Sequence, residues 1–589
     1  MFKKFLIMII PFFLMGISYG ICATFTDFTE EADVPGAEVG NGLAFVDYDV
    51  DGDLDLYVSA DPHDILYRNN GDGTFSDATI EAGIFVKGDG VGAVFGDYDN
   101  DGDPDLYIPV NDGWDIFFQN EGAGIFRDAT RDVRINNPNR GRSAAFADFN
   151  NDSFLDIYVT NESAPNILYK NRSGKSFEDV AQEMNVAHPG NGRCGTWADY
   201  DNDGDMDLYV TNKGESNLLY RNDSFGFKDV AEDAGVDIPD ISTGAAFADY
   251  DNDGDLDLCV DGGREVYLYR NENDGTFTNV APELGISYIG KESTPAFGDY
   301  DNDGHLDLYL AVWNGWSVMF HNKGDGSFEE VTHEVGLGDF GNSWSAIFSD
   351  YDSDGDLDLY TTYTTKANKL YLNNGSDNNW LYIKLTGTSS NRDGIGTRLN
   401  LSVGGINLIR ETTRGSGYGS QNSPVVEFGL GNNDFINVLN IFWPSGIVTK
   451  LTNIKANQVI NAEESFWSVD DSKANPISGN KDFKSYTDYD KKYKSRLLPN
   501  YPNPFNPETW IPYQLAEQSN ITINIYDSSG CLVRSMNMGF KFPGLYASKE
   551  LAAYWDGKND KGEKVSSGIY FCRIIGRDFQ QTAKMILKR

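Results

Sequence analysis

The chain has 589 residues, more than one ordinary domain holds, and its 90 Asp and Glu against 47 Lys and Arg give a formal charge of −43. A surface this acidic repels phosphate and argues against a nucleic-acid binder. With 13 % aromatic and 40 % hydrophobic residues the chain is not disordered, and 62 Gly, 32 Tyr and 36 Phe fit a β-rich, turn-rich protein.

At the N-terminus, Lys3 and Lys4 precede an apolar run from Phe5 to Met15, too short to span a bilayer, and small residues follow at Gly16, Ser18, Gly20 and Ala23. This predicts a secretory signal over residues 1–23, cut between Gly20 and Ala23. Acylation at Cys22 fits less well, because Tyr19-Gly20-Ile21 makes a poor lipobox. No later stretch is apolar enough for a membrane span. The protein is expected to be exported, either secreted or held at an outer-membrane surface.

Residues 24–376 are a repeat. The motif D-Y-D-x-D-G-D-x-D starts at Asp47, Asp97, Asp148, Asp199, Asp249, Asp299 and Asp350, at intervals of 50 or 51 residues. An F-x-D/E/N signal stands 22 residues before each, at Phe25, Phe75, Phe126, Phe177, Phe227, Phe277 and Phe328. Each copy reads as four short strands bounded by Gly, Asn or Asp, with no helical period. Four strands repeated seven times predict an all-β fold, a seven-bladed β-propeller. The first F-x-D precedes any complete copy, and none follows Leu370–Asn374. Phe25 to Phe28 are therefore expected to supply the outer strand of the last blade and close the ring.

The Asp loops point to metal. Position 1 is the Asp that opens each loop. Position 3 is Asp49, Asp99, Asn150, Asp201, Asp251, Asp301 and Asp352; position 5 is Asp51, Asp101, Asp152, Asp203, Asp253, Asp303 and Asp354. Position 7 is Asp53, Asp103, Phe154, Asp205, Asp255, His305 and Asp356; position 9 is Asp55, Asp105, Asp156, Asp207, Asp257, Asp307 and Asp358. Side chains at positions 1, 3, 5 and 9 and the carbonyl at position 7 would surround one cation, with Gly at position 6 allowing the reversal. All-oxygen ligands on a flexible loop select Ca²⁺ over Mg²⁺. Strands flank the loop and no Glu stands at position 12, so it is not an EF-hand. These loops hold 32 of the 90 acidic residues, so about seven structural calcium ions are expected. Ser153 replaces the usual Gly in the third loop, which is expected to be the weakest.

These residues, GAAFADYDNDGDLDL at Gly244–Leu258 above all, resemble the FG-GAP or VCBS repeats of integrin-α-like propellers. The resemblance implies calcium in loops between the first and second strands, and ligand contacts on the opposite face.

Residues 377–465 read as a compact β domain. Asn391–Gly396, Phe428–Gly431 and Trp443–Gly446 resemble the ASPIC/UnbV family, which says little of chemistry. Arg392 and Asp393 there are expected to stabilise a turn, with a site as the alternative. Residues 466–495 read as a linker. Residues 496–589 again show short alternating strands, giving a second small β-sandwich-like domain. Tyr501–Pro507, Trp555–Gly557 and Ser567–Tyr570 resemble FlgD-like, immunoglobulin-like C-terminal sorting domains of type IX secretion, which implies passage across an outer membrane. Cys531 and Cys572 lie in this region, and pairing and two free thiols are both open.

The function expected is an extracellular binding or adhesion module for a glycan or protein. Trp114, Arg193, Trp313, Trp316, Trp344 and Tyr363 fall in or beside the loops opposite the Asp loops, where aromatic rings stack on sugars or peptide groups. The alternative is a polysaccharide lyase or hydrolase on the same scaffold. No nucleophile motif accompanies the five His, of which His63 and His188 fall on that face, so no enzyme is expected.

Overall fold

The computed structural model describes residues 23–34, 39–86, 90–223, 226–288, 292–465 and 468–470. Beyond these it describes 496–497, 505, 507–515, 519–541, 544–546, 552–559, 561–576 and 579–588. The signal segment up to Cys22, most of the linker and Tyr501 to Pro504 lie outside the described residues. The chain forms two compact units, Met1–Lys473 and Ala474–Arg589.

In the first unit, each repeat folds as an antiparallel four-stranded meander. In the fourth repeat the strands are Gly192–Ala198, Asp207–Asn212, Leu218–Asp223 and Gly226–Asp229, hydrogen-bonded in chain order. Buried Trp197, Leu208, Val210 and Tyr220 alternate with residues that face the neighbouring sheet. The described residues contain seven such sheets, an arrangement consistent with a propeller. In the last one Phe25–Asp27 pairs with Lys369–Asn373, placing Phe25 opposite Asn373 and Thr26 opposite Leu372.

Two repeated contacts join each sheet to the next. The aromatic at loop position 2 meets the Phe of the neighbour's outer strand: Tyr48 with Phe126, Tyr98 with Phe177, Tyr200 with Phe277, at ring-centroid distances of 6.1, 5.8 and 5.7 Å. The buried Asn that ends each third strand donates its amide to the position-2 carbonyl of the preceding loop, as Asn120 does to Tyr48 and Asn171 to Tyr98, both at 2.8 Å. Between the ends of the repeat the same two contacts recur. Asn69 donates to Tyr351 at 2.8 Å, and Phe75 packs on the Tyr351 ring at 5.4 Å.

Residues 379–470 add two further sheets. Asn379–Thr386 lies between Val425–Gly431 and Gln458–Glu463. The other sheet runs Ile406–Glu411, Arg398–Val403, Phe435–Phe442, Val448–Lys455, Ser468–Asp470. Leu381, Ile383, Leu399, Phe428, Leu439 and Trp443 form a core of their own between them.

The second unit is also all-β. Its largest sheet orders Leu532–Lys541, Ser519–Asp527, Gly568–Ile575 and Gln580–Leu587, over a core that includes Ile523, Ile525, Trp555, Tyr570 and Met585. Cys531 is exposed, Cys572 is buried, and both are free thiols.

Candidate functional site

Each Asp loop is built by its own backbone bonds. Position 4, Asn in five of the loops, takes the left-handed conformation that Asn tolerates, with φ from 52° at Asn151 to 62° at Ser353. Position 6 follows at positive φ as well, 107° at Gly52 and 74° at Ser153, the one copy where a side chain bears that strain. This folds the chain so that position 1 accepts the N–H groups of positions 5 and 6, as Asp97 does from Asp101 at 3.0 Å and from Gly102 at 2.8 Å.

Position 9 has a second role beyond the expected one. Asp207, 1 % exposed, accepts the N–H of Tyr200 at 3.3 Å and of Asn222 at 2.7 Å, tying the loop to the third strand. The same two bonds recur at Asp55, Asp105, Asp257, Asp307 and Asp358. In the third loop Asn150 turns its amide to Asp156 at 2.7 Å.

Position 7 also departs from expectation, since its side chain is not idle. The position-4 Asn of one loop donates to position 6 or 7 of the next: Asn151 to Asp205 at 2.8 Å, Asn202 to Asp255 at 2.7 Å, Asn302 to Asp356 at 3.1 Å. Asn252 reaches His305 Nδ1 at 3.1 Å, and Asn100 takes the Ser153 carbonyl at 2.9 Å because Phe154 offers no acceptor. Val50 opens this chain of links in the first loop. Asn at position 4 in five copies was the signal for it.

The loop residues fit a cation. Asp47, Asp49 and Asp55; Asp97, Asp99 and Asp101; Asp199, Asp201 and Asp203; and Asp249, Asp251 and Asp257 each bring their ligand atoms within 4.8 Å of one another. In the sixth loop the group is Asp301, Asp307 and His321, a third-strand residue that the spacing argument did not reach. Oδ1 of Asp47, Asp49, Asp99 and Asp201 and Oδ2 of Asp249 are buried and receive no hydrogen bond. Orphan carboxylate oxygens in a converging set are what a cation satisfies. Burial pushes the position-1 carboxyls up, Asp47 and Asp199 to about 6, Asp148, Asp249 and Asp350 to about 7. Burial, then the Asp393 charge, takes Asp97 to about 8. Burial also carries Asp55 at position 9 to about 8.

The 379–470 sheets dock on the loops, which keep part of their middle positions exposed. Lys384 Nζ donates to the Gly52 carbonyl at 2.8 Å, and its charge faces Asp47. Arg392 and Asp393 clamp the second loop rather than only a turn: the Arg392 N–H donates to Asn100 Oδ1 at 2.8 Å and Asp393 accepts the Asp97 N–H at 3.1 Å. Ser153 donates its hydroxyl to the Ser389 carbonyl at 2.5 Å. Glu411 accepts the Asp199 N–H at 3.0 Å, and Arg398 reaches the Gly254 carbonyl. Gly431 N–H donates to the Asn302 carbonyl at 2.8 Å, and the Tyr382 hydroxyl to Gly355 at 2.8 Å. Every loop is therefore touched. Arg410 faces both Asp249 and Asp299 beside a cavity of about 140 Å³ that Glu411 and Glu427 also line. Burial raises those two Glu, to about 7 and about 8.

From this cover the segment Arg414–Gln421 runs in among the first strands of the sheets. Ser420 and Gln421 pair in parallel with Leu43 and Ala44 on the open edge of the first sheet. Gln421 accepts the Phe95 N–H at 2.5 Å, Arg414 bridges to Phe146, Thr196 donates to the Gly415 carbonyl at 3.4 Å, Gly417 donates to Ala245 at 3.0 Å, and Ser345 donates to Tyr418 at 2.5 Å. Gly is required here: a Cβ on Gly415 would meet Ala145 Cβ at 2.5 Å, and one on Gly419 the Val91 carbonyl at 2.5 Å.

At the opposite ends of the sheets the expected ligand residues separate. Trp114 and Trp316 are 59 % and 53 % exposed, and Trp316 pairs with exposed Phe340 at 5.5 Å. Trp313 and Trp344 are half-buried and stack on each other at 4.4 Å, with Trp344 also against Tyr418 at 5.1 Å. Tyr363 is a correction: it is 0 % exposed, under the Lys366 Nζ at 3.9 Å, and it belongs to the core because it ends an interior strand, Asp358–Tyr363, that is buried along its whole length. Arg193 is buried beside Glu162. His188 pairs with Glu215 at 3.1 Å.

Residues 47–108, 148–210, 199–260, 258–310 and 299–361 match the FG-GAP-like repeat, and residues 387–466 match the ASPIC and UnbV domain. The chain carries FG-GAP repeats and an ASPIC/UnbV domain. FG-GAP repeats commonly bind calcium, in keeping with the converging carboxylates. Over 116 residues the chain is 34 % identical to cartilage acidic protein 1 of Homo sapiens and 33 % to that of Xenopus tropicalis. That match covers 19 % of this chain and 17 % of the human relative. Among solved structures, an Agrocybe aegerita lectin aligns with 51 % of this chain and 84 % of its own, at 18 % identity and a TM-score of 0.35. Saccharomyces cerevisiae Sqt1 aligns with 60 % of this chain and all of its own, at 12 % identity and a TM-score of 0.39. Among the described residues no helix is long and apolar enough to cross a membrane.

Proposed function

We propose that this chain is an exported, non-enzymatic binding module: a closed seven-bladed FG-GAP propeller with structural calcium in its Asp loops, whose opposite face takes a glycan or protein ligand. The pairing of Phe25–Asp27 with Lys369–Asn373 and the Asn69–Tyr351 bond support closure. The buried orphan carboxylate oxygens support calcium.

One observation carries the assignment of the faces. The ASPIC/UnbV domain contacts every Asp loop, whereas the exposed aromatics that break the repeat, Trp114, Trp316 and Phe340, sit in the loops at the other ends of the sheets. Large apolar groups left exposed and out of the repeat pattern mark a recognition surface. The second unit serves as a sorting domain that delivers the chain to, or anchors it at, an outer-membrane surface; the support is the resemblance of its strand-and-turn pattern to such domains. A glycan and extracellular-protein array on the full chain in calcium tests the reading, with a polysaccharide-degradation assay in parallel. Specific capture without chain cleavage is expected; product formation from a captured polysaccharide would replace the module with an enzyme.

A further inference from the structure

The seven repeats allow one position to be compared around the ring. Six residues before position 1, on or just before the first strand of each sheet, stand Asn41, Val91, Arg142, Arg193, Thr243, Ser293 and Trp344. In one copy Trp344 stacks on Tyr418 of the inserted segment. Two adjacent copies place a guanidinium at this position, in a chain with a formal charge of −43.

Both guanidiniums converge on one carboxylate. Glu162 pairs with Arg142 in close contact, with Arg193 at 3.7 Å and with Arg140 at 3.9 Å; Arg140 also pairs with Asp112 at 3.4 Å. The side chains of Arg142 and Arg193 are only 15 % and 10 % exposed, and the Nε of each has no hydrogen-bond acceptor. Arg140 is half exposed and can turn its donors to water, but the two buried Nε donors cannot, and Glu162 receives no hydrogen bond from them. Buried cationic donors in surplus are costly unless another acceptor arrives. Asp112 also ties the cluster to the loop that displays Trp114, two residues on. A guanidinium fork suits a carboxylate, and an exposed indole on the loop reached through Arg140 and Asp112 offers a face for the ring that bears it.

We propose that Arg142 and Arg193 form a subsite for the carboxylate of an acidic polysaccharide, with the uronate ring against Trp114. This rests on the reading of that face as a ligand surface and narrows it to one ligand class. The test uses the full chain at fixed free calcium and three probes: trigalacturonate, its methyl ester, and triglutamate. Binding is followed by calorimetry and by tryptophan fluorescence. Trigalacturonate is expected to bind, and both methyl esterification and a folded R142Q/R193Q to weaken it about tenfold or more. Should that variant not fold, the ester comparison on the unaltered chain still decides. Equal binding of acid and ester, unchanged binding by a folded R142Q/R193Q, or preference for triglutamate would overturn the subsite. Capture of a neutral glycan or a protein untouched by these changes would sink the subsite and keep the binding module. Capture of nothing on the array would sink both.

Discussion

The two ends of the repeat sheets carry equivalent sets of loops, yet one set is nearly invariant and the other is not. At the Asp-loop end each turn has fixed obligations. Position 1 closes the turn, position 4 links to the next loop in the five copies that carry Asn, position 9 ties to the third strand, and the orphan oxygens fit a cation. Nine residues with that many bonds leave little room to vary. At the other end a loop has only to join two strands, so it is free to hold Trp114 in one copy and Trp316 in another. Constraint accumulates where geometry is shared, and specificity is found where it is not.

That contrast can be broken at several strengths. Deleting residues 24–30 removes the outer strand of the last sheet and the buried Phe25, at an expected cost of at least about 3–5 kcal/mol from the ring alone. Chemical denaturation reads it, and a loss under 1 kcal/mol would mean that the strand pairs without holding the sheets together. Tyr418→Ala takes from the ASPIC/UnbV domain the buried ring that packs on Trp344, with an expected loss of about 3 kcal/mol and increased protease cleavage between residues 411 and 425. Undiminished stability would show that the cover merely rests on the loops. Asn202→Ala cuts one loop-to-loop link and strains a left-handed residue, for about 1–2 kcal/mol. Trp114→Ala, on the variable end, is expected to move stability by less than about 0.5 kcal/mol while weakening ligand capture. A reversal of that last pair would abolish the distinction between the ends.

Much of this was legible in the sequence, for a physical reason. A repeat writes its contacts at fixed intervals, so the strands, the loops and the outlying Phe25 strand can all be read from spacing. The docking of the ASPIC/UnbV domain has no such interval. Arg414–Gln421 reads as an ordinary Gly- and Ser-rich turn, and its partners are single residues scattered over the first strands of the repeats. Arg392 looked like a local turn residue because its partner, Asn100, lies 292 positions away. Tyr363 follows the same pattern of failure, since loop adjacency placed it at the surface and an interior strand, buried along its length, takes it inside. The His321 contribution to the sixth loop was out of reach because it enters from a neighbouring strand.

The central claim is that the Asp-loop end is held together by calcium, and its pH dependence gives the sharpest test. Burial raises the folded-state values of Asp47, Asp199, Asp249, Asp97 and Asp55 to about 6 to 8, above the ordinary carboxylate range. Without metal the folded protein then binds more protons than the unfolded chain between about pH 4 and pH 8, so stability falls as pH rises through that window. Bound calcium holds the same carboxylates ionised and removes the loss. Scanning calorimetry of the full chain from pH 5 to pH 8, with calcium and with chelator, measures this directly. The account predicts a melting temperature nearly flat with pH in calcium, and one that in chelator declines with pH to lie more than about 10 °C lower at pH 8. Coincident curves in calcium and chelator across the whole range would contradict it.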